Sequence, residues 1–185
     1  METARAQLDI PTDGSDGVFA PTADVTIDLS QAATAAWNAT SPVSGRGVYD
    51  PEKWAVVFKY VSVNIPANVV VRFKNHESRA PVVWLVQGDV TIHGEVNLDG
   101  EAGSTAFSDG RRPAEPGPGG FRGAASVVNG GTGRGTGFGP GGGAPEVDAF
   151  RPGGGSYATV TYRGGPTYGN SSIIPLIGGS GGGGD

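Results

Sequence analysis

The sequence predicts an all-β fold: a short parallel β-solenoid or a β-sandwich, followed by a glycine-rich C-terminal half dominated by loops. Apolar and polar residues alternate through most of residues 81–100, as they do in half-buried strands. Residues 54–73 alternate in the same way. Of the 34 glycines, 7 lie in residues 1–100 and 27 in residues 101–185, so the first half is expected to be the folding unit.

Composition divides the chain into three parts. Residues 1–20 are polar and turn-rich and are expected to form a flexible N-terminal arm. Residues 21–100 are expected to form the β-rich core. Residues 101–185 contain too few large aliphatic side chains to bury a core of their own, so we expect a glycine-rich loop region that docks on the first core.

The elements of the predicted core can be placed in chain order. Apolar and polar residues alternate over residues 24–29, which predicts a strand with one face exposed to solvent. Residues 31–37 are rich in alanine and form the one segment expected to be helical, with Ser30 as its cap. Apolar residues occupy even positions up to Tyr60 and odd positions from Val61 onward, and this change predicts a bulge or a corner.

The stretch at residues 81–100 predicts three short strands joined by tight corners at Gly88 and Gly94. Trp84 shares its parity with Val82 and Val86 and is therefore expected in the core.

A weak internal repeat is relevant to the choice between the two candidate architectures. When segment 61–65 is overlaid on segment 82–86, segment 69–73 falls on segment 90–94 at the same shift. One rung of a parallel solenoid requires a repeat of this kind, because successive rungs stack their strands about 4.8 Å apart. An antiparallel sandwich whose strands share a spacing is the alternative, and the sequence leaves both open.

The second half offers few predicted elements. Residues 158–162 are a candidate strand, and residues 173–177 are its one apolar cluster, expected to dock on the core. The chain ends within a glycine run, which we expect to be a break inside a longer one.

Charge and composition exclude several classes of function. The net charge is −5, with 13 basic and 18 acidic residues, so we expect no nucleic-acid partner. The chain has no cysteine and no apolar run long enough to span a membrane. Residues 1–17 lack the apolar region of a secretory signal. Either the chain is a processed or truncated form of an exported protein, or it is made in the cytosol and leaves by another route.

No catalytic constellation is recognisable, and we predict no catalytic residue, no metal site and no cofactor. His76 and His93 are too far apart in sequence for a metal-ligand spacing, and His93 occupies an outward strand position. Four carboxylates cluster around the predicted corners: Asp89, Glu95, Asp99 and Glu101. Pectate-lyase-like β-helices use acidic groups on such a face, but solvated strand faces carry them far more often. We favour the second interpretation.

Aromatic residues among the glycines are the candidate binding residues. They stand where no aliphatic core surrounds them: Phe121, Phe138, Tyr157, Tyr162 and Tyr168. Such residues either hold glycine loops to one another and to the sheet, or form an exposed recognition surface. For any single residue the first use is favoured.

Several sequence motifs, occurring in a fixed order, resemble those of a known group of proteins. They are VVWLVQGDVTIHGEVNLDG, EPGPGGFRG, GTGFGPGGG, GGGSY and YGNSSIIPLIGGSGGGG. Residues 20–184 resemble a group of glycine-rich bacterial proteins of environmental and myxobacterial genomes, in which further alternating segments follow the glycine run. The resemblance implies a β-helical fold and supplies no reaction. By composition the chain is also similar to phage tail-fibre tip adhesins, whose polyglycine segments pack as a bundle.

These observations together predict a non-catalytic structural or adhesive module that assembles into a homo-oligomer or homopolymer. We expect it outside the cell, on a cell surface or on a particle. A carbohydrate-binding or polysaccharide-lyase-like module, with a surface glycan as its partner, is the alternative. The open end of a solenoid favours the first, since stacking of copies would bury it.

Overall fold

The fold is all-β, as predicted. The computed structural model describes residues 12–101, 114–124, 135–145, 151–169 and 177–183. The strands are β1 (Gly17–Phe19), β2 (Val25–Asp28), β3 (Ala33–Thr34), β4 (Val48–Asp50), β5 (Ala55–Ile65), β6 (Val70–Lys74), β7 (Val82–Val86), β8 (Val90–Ile92) and β9 (Glu95–Val96). One short 3-10 helix, Leu29–Gln31, follows β2. No described segment forms a helix with the length and apolar character that a membrane span requires.

The chain divides into two compact units whose bounds differ from the predicted ranges. The sheet unit comprises Met1–Arg72 and Val82–Val96, and the glycine unit comprises Phe73–Pro81 and Asn97–Asp185. The connection between β6 and β7 therefore belongs with the glycine-rich residues and not with the strands that it joins.

Strand β5 is the centre of the larger sheet. Along one edge it pairs with β4 and then with β1, and along the other it pairs with β7 and then with β8. Its pairings with β1, β7 and β8 are parallel, and so is the pairing of β6 with β9 in the second sheet. Parallel stacking of successive chain passes is the arrangement of a β-solenoid, which the antiparallel β4–β5 pair interrupts.

The register implied by the predicted repeat is wrong. The overlay places Val82 beside Val61, but in the structure Val82 lies beside Val56. Val90 likewise lies beside Val63 and not beside Val69. The predicted parity switch explains part of the error. The register shifts where β1 passes from Tyr60 to the residue after Val61, so β5 has a bulge where the overlay assumes a regular strand.

The first half of β5 is covered on both faces. On one face, the Tyr60 ring stacks on Phe19 and Phe58 and meets Trp84 edge to face at 5.7 Å. On the other, a buried cluster of Val48, Ala55 and Val57 packs against four partly buried residues: Ala35, Trp37, Val83 and Leu85. Trp84 is thus packed on the aromatic core face, as its parity predicts.

The three strands predicted for residues 81–100 are present as β7, β8 and β9, with the glycines at the corners between them. A Cβ on Gly88 would lie 3.0 Å from the Val61 carbonyl oxygen, and one on Gly94 would lie 2.9 Å from Ile65 Cγ2. The corner at Gly94 therefore requires glycine for space, and a Cβ at Gly88 would press against the Val61 carbonyl.

The predicted helix at residues 31–37 is wrong. Residues Ala33–Thr34 instead form β3, parallel to β4, and the Trp37 N–H donates to the Asp50 carboxylate at 2.8 Å. The Asp28 side chain, and not Ser30, caps the preceding 3-10 helix. An isolated helix this short is marginal in water, so these tertiary contacts override alanine's helix propensity.

The predicted arm boundary at residue 20 is also wrong, because β1 lies inside the arm. The buried Asp16 carboxylate accepts hydrogen bonds from the backbone N–H groups of Gly45, Gly47 and Lys59. The Lys59 side chain is 1% exposed, with its Nζ donating to the Ala39 carbonyl and lying 3.9 Å from Asp13 Oδ2. This network ties the segment before β1 to the sheet unit.

The glycine unit contains no strand or helix among its described residues from Asn97 onward. Its segments 114–124, 135–145, 151–169 and 177–183 form a glycine bundle in which backbone hydrogen bonds run between segments. In segment 177–183, Gly181 N–H donates to Phe138 O and Gly183 N–H donates to Gly153 O. The carbonyl of Gly182 accepts from Ala124 N–H. This segment therefore contacts all three others, whereas a strand in a sheet has two neighbours.

Glycine makes this approach of backbones possible. At several positions a Cβ would overlap a carbonyl oxygen of another part of the unit, among them Gly137, Gly143, Gly153, Gly178 and Gly181.

Two further predictions concern this unit. Residues 158–162 do not form the predicted strand. Of the apolar cluster at residues 173–177, all but Ile177 lie outside the described residues.

Candidate functional site

The candidate site begins in the turn between β6 and β7. His76 is buried, and its Nδ1 lies 2.7 Å from Ser78 Oγ and accepts the Ser78 N–H at 3.1 Å. The Arg79 N–H donates to His76 O at 2.9 Å, and the Arg79 carbonyl accepts from Gly119 N–H at 3.0 Å. These bonds hold Arg79 at φ +57°, a left-handed conformation that is uncommon for a residue with a side chain.

Arg79 and Arg122 converge on one carboxylate. Arg79 Nη1 lies 2.8 Å from Glu115 Oε2, and Arg122 Nη2 contacts Glu115 Oε1. Each of the three side chains is between 24% and 35% exposed. Glu115 thus holds two guanidinium groups side by side at the surface of the glycine unit.

A cavity of about 290 Å³ opens beside these arginines. It is lined by Arg79, Phe121, Arg122, Phe138 and Gly139. The backbone of the bundle positions the lining residues, since the Phe138 N–H donates to the Arg122 carbonyl at 3.0 Å. Gly139 has φ +94°, and a Cβ there would lie 2.7 Å from Phe121 Cγ. We call this cavity the Arg-Phe cavity.

A second cavity, of about 460 Å³, shares Arg79 with the first. Its lining is more polar and includes Glu77, Asp99, Glu101 and Glu115. Asp99 and Glu101 are two of the four carboxylates that the sequence singles out, whereas Asp89 and Glu95 belong to the sheet unit. Among the described residues, no group of three or more His, Asp or Glu side chains is arranged to hold a metal ion.

The five aromatic candidates separate into three environments. Phe121 and Phe138 line the Arg-Phe cavity, and the Phe138 side chain is 56% exposed. Tyr157 and Tyr168 meet edge to face at 5.0 Å, and Tyr168 Oη donates to the Gly178 carbonyl at 2.6 Å. Tyr162 is 62% exposed. The pair of tyrosines thus holds bundle segments together, and the two phenylalanines face a cavity.

Arg79, Arg122 and Glu115 are not among the residues that the sequence singles out, but the structure places Arg122 beside Arg79 across Glu115. No local pattern indicates this arrangement, because Arg79 and Glu115 are distant in the chain. A left-handed arginine also has no signature in the sequence. His93, in contrast, is exposed between β8 and β9, as its outward position predicts.

Comparisons with known proteins add no relative: no family model matches the chain, and no curated protein or solved structure is significantly similar to it.

Proposed function

We propose that the chain is a non-catalytic structural and adhesive module that assembles with copies of itself outside the cell or on a particle surface. The glycine bundle is the observation that carries this proposal. Segment 177–183 of the bundle makes backbone hydrogen bonds to the other three segments, and at Gly181 and Gly183 no side chain fits. A core packed in this way fits a structural role, and the side chains on its surface remain available to contact partners.

The outer strands of the larger sheet supply a route to assembly. β1 and β8 lie on opposite edges of β5, and both run parallel to it. Each exposes apolar side chains: Val18 is 63% exposed on β1, and Val90 and Ile92 are 52% and 47% exposed on β8. Among the described strands, β8 pairs with β5 alone.

An exposed strand edge is a template for another strand. Because β1, β5 and β8 share one direction, the β1 of a second copy placed on β8 would continue the parallel ladder without a reversal. Such a contact joins different surfaces of the two copies, so it generates a ring when the rotation between copies closes and an open polymer when it does not.

Electron microscopy and light scattering across a concentration series test this proposal. We expect the unaltered chain to form filaments or larger particles as concentration rises, and Ile92→Lys to remain monomeric because it places a charge at the β8 edge. Val43→Lys is the matched control, since Val43 is a similarly exposed apolar residue, at 48%, outside the strands.

Circular dichroism would first establish that both variants are folded. A chain that stays monomeric at every concentration would exclude self-assembly, and equal effects of the two lysines would exclude the β8 edge as its route.

Carbohydrate binding is the second candidate function, and the Arg-Phe cavity favours it. Aromatic and arginine side chains that share one cavity suit a ligand with both apolar faces and polar groups. A lyase-like enzyme is the catalytic form of this alternative. Incubation with a polyuronate tests it, with the appearance of unsaturated products as the supporting result.

A further inference from the structure

We infer that the Arg-Phe cavity binds a saccharide that carries a carboxylate, a uronic acid being the simplest example. This inference rests on the carbohydrate-binding candidate above and adds the chemical class of the sugar. It follows from three properties of the cavity: its charge, its aromatic surfaces and its preorganised backbone.

The charge of the lining favours an anionic group. Two guanidinium groups line the cavity, and none of the other lining residues is acidic. Glu115 contacts both guanidiniums, and the Glu101 carboxylate accepts the Glu115 backbone N–H at 3.3 Å, so two acidic groups lie nearby. A guanidinium carries five N–H donors in a planar fork. The fork geometry matches a carboxylate, which it binds through two parallel hydrogen bonds.

The aromatic surfaces favour a sugar ring over a simple anion. The face of a phenyl ring is electron-rich, and the C–H groups on one side of a pyranose ring are its natural partners. Phe138 is more than half exposed, so a ligand that covers it removes apolar surface from water. At about 290 Å³ the cavity is near the lower limit of small-molecule sites, which suits a single sugar residue.

The backbone fixes these groups before any ligand arrives. The His76–Ser78 hydrogen bonds hold Arg79 in its left-handed conformation, and the Phe138–Arg122 backbone bond sets the spacing of the two side chains. Groups that are already ordered lose less entropy on binding, which raises affinity. The overall charge of −5 opposes long polyanions, so recognition is expected at a terminal acidic sugar.

Titration of the full chain with two pairs of probes tests the inference. Methyl glucuronide and methyl galacturonide carry the carboxylate, and methyl glucoside and methyl galactoside are their neutral counterparts. Binding is followed by NMR shift changes at low ionic strength. We expect at least one uronide to bind about tenfold or more tightly than its neutral counterpart, the factor that one charge-assisted hydrogen bond provides.

Three variants locate the site. Arg122→Lys keeps the charge but removes the fork, and it should abolish most of the preference for the uronide. Phe138→Ala should weaken the uronide and its neutral counterpart by similar factors. Tyr162→Ala is the matched control, an exposed aromatic residue of the same unit that does not line the cavity, and it should leave both affinities unchanged. Amide hydrogen exchange of the bundle verifies that each variant is folded.

The possible failures are distinguishable. Equal binding of uronide and neutral sugar would overturn the carboxylate inference and leave carbohydrate binding intact. No binding of any of the four sugars would overturn both. Acetate binding as tightly as the uronide would show a carboxylate site with no role for the sugar. Unchanged binding by Phe138→Ala would place any sugar elsewhere.

Discussion

In the sheet unit, backbone groups pair in ladders and side chains fill the space between them. Phe58 and Tyr60 are fully buried there and stack on each other. In the glycine unit, the backbones of several segments approach so closely that Gly181 has no room for a methyl group. One unit is thus organised by its side chains, and the other by their absence. Hydrophobic burial stabilises the first, whereas hydrogen bonds between segments and close packing of backbone stabilise the second.

Removing a side chain from the sheet unit is expected to have the largest effect. Phe58→Ala should lower the free energy of unfolding by about 3–5 kcal/mol, because it leaves a cavity between Tyr60 and the strand partner Trp84. Tryptophan fluorescence in a urea titration measures it, since all three tryptophans lie in the sheet unit. Val43→Ala, at an exposed position outside the strands, is the control and should change the midpoint little.

Adding a side chain to the glycine bundle should have the next largest effect. Gly181→Ala places a Cβ against the Arg122 carbonyl group and should destabilise the bundle by about 1–3 kcal/mol, because backbone cannot rotate away as a side chain can. The readout is faster hydrogen exchange at Gly143 and Gly183, whose N–H groups bond to other segments.

Gly179→Ala is the matched control in the same segment. A Cβ at Gly179 meets nothing within 4 Å, and its φ is not positive, so this change should leave protection unchanged or slightly raised. Equal loss of protection in both variants would show that the bundle does not depend on the close approach at Gly181.

Acid should have the smallest effect, and it should act on the sheet unit. The Asp13 carboxylate accepts hydrogen bonds from the Ser15 side chain, the Ser15 backbone N–H and the Thr40 side chain, and it lies near the Lys59 charge. Together these interactions outweigh the effect of burial and lower the pKa of Asp13 from 3.8 to about 2. Burial opposes ionisation of Asp50, but backbone N–H groups of Trp37, Lys53 and Glu52 outweigh it and lower its pKa as well.

A carboxyl whose pKa is lower in the folded state stabilises the fold above its unfolded pKa and loses that contribution as the pH falls. The Asp13 contribution is therefore expected to disappear between about pH 5 and pH 2. Because the side chain is 36% exposed, solvent screening keeps it below about 1 kcal/mol. Asp13→Asn should lower the free energy of unfolding slightly at pH 7 and should reduce the dependence of the urea midpoint on pH. Identical slopes for the two proteins would contradict this assignment.

The sequence predicted local features of the sheet unit better than its stacking. Alternation identified the three strands between Val82 and Val96, and the parity switch identified the bulge near Val61. The pairing register was not predicted correctly, because β5 is long enough to pair with both β7 and β8. The segments with similar residues are therefore not the segments that pair.

The candidate site was half predicted. Phe121 and Phe138 stood out because aromatic residues are unusual among glycines. Their shared cavity depends on a backbone hydrogen bond between two segments, and Arg79 depends on a turn built by His76 and Ser78. Neither leaves a periodic or compositional trace in the sequence.

The close approach at Gly181 also has a genetic consequence. All glycine codons begin with the same dinucleotide, and any change to that dinucleotide introduces a side chain or a stop codon. Every such side chain starts with the Cβ that Arg122 excludes, so even the mildest replacement is penalised, whereas Val and Ile can exchange in the sheet unit. We expect descendants of this sequence to retain the tightly packed glycines and to diverge at the positions between them.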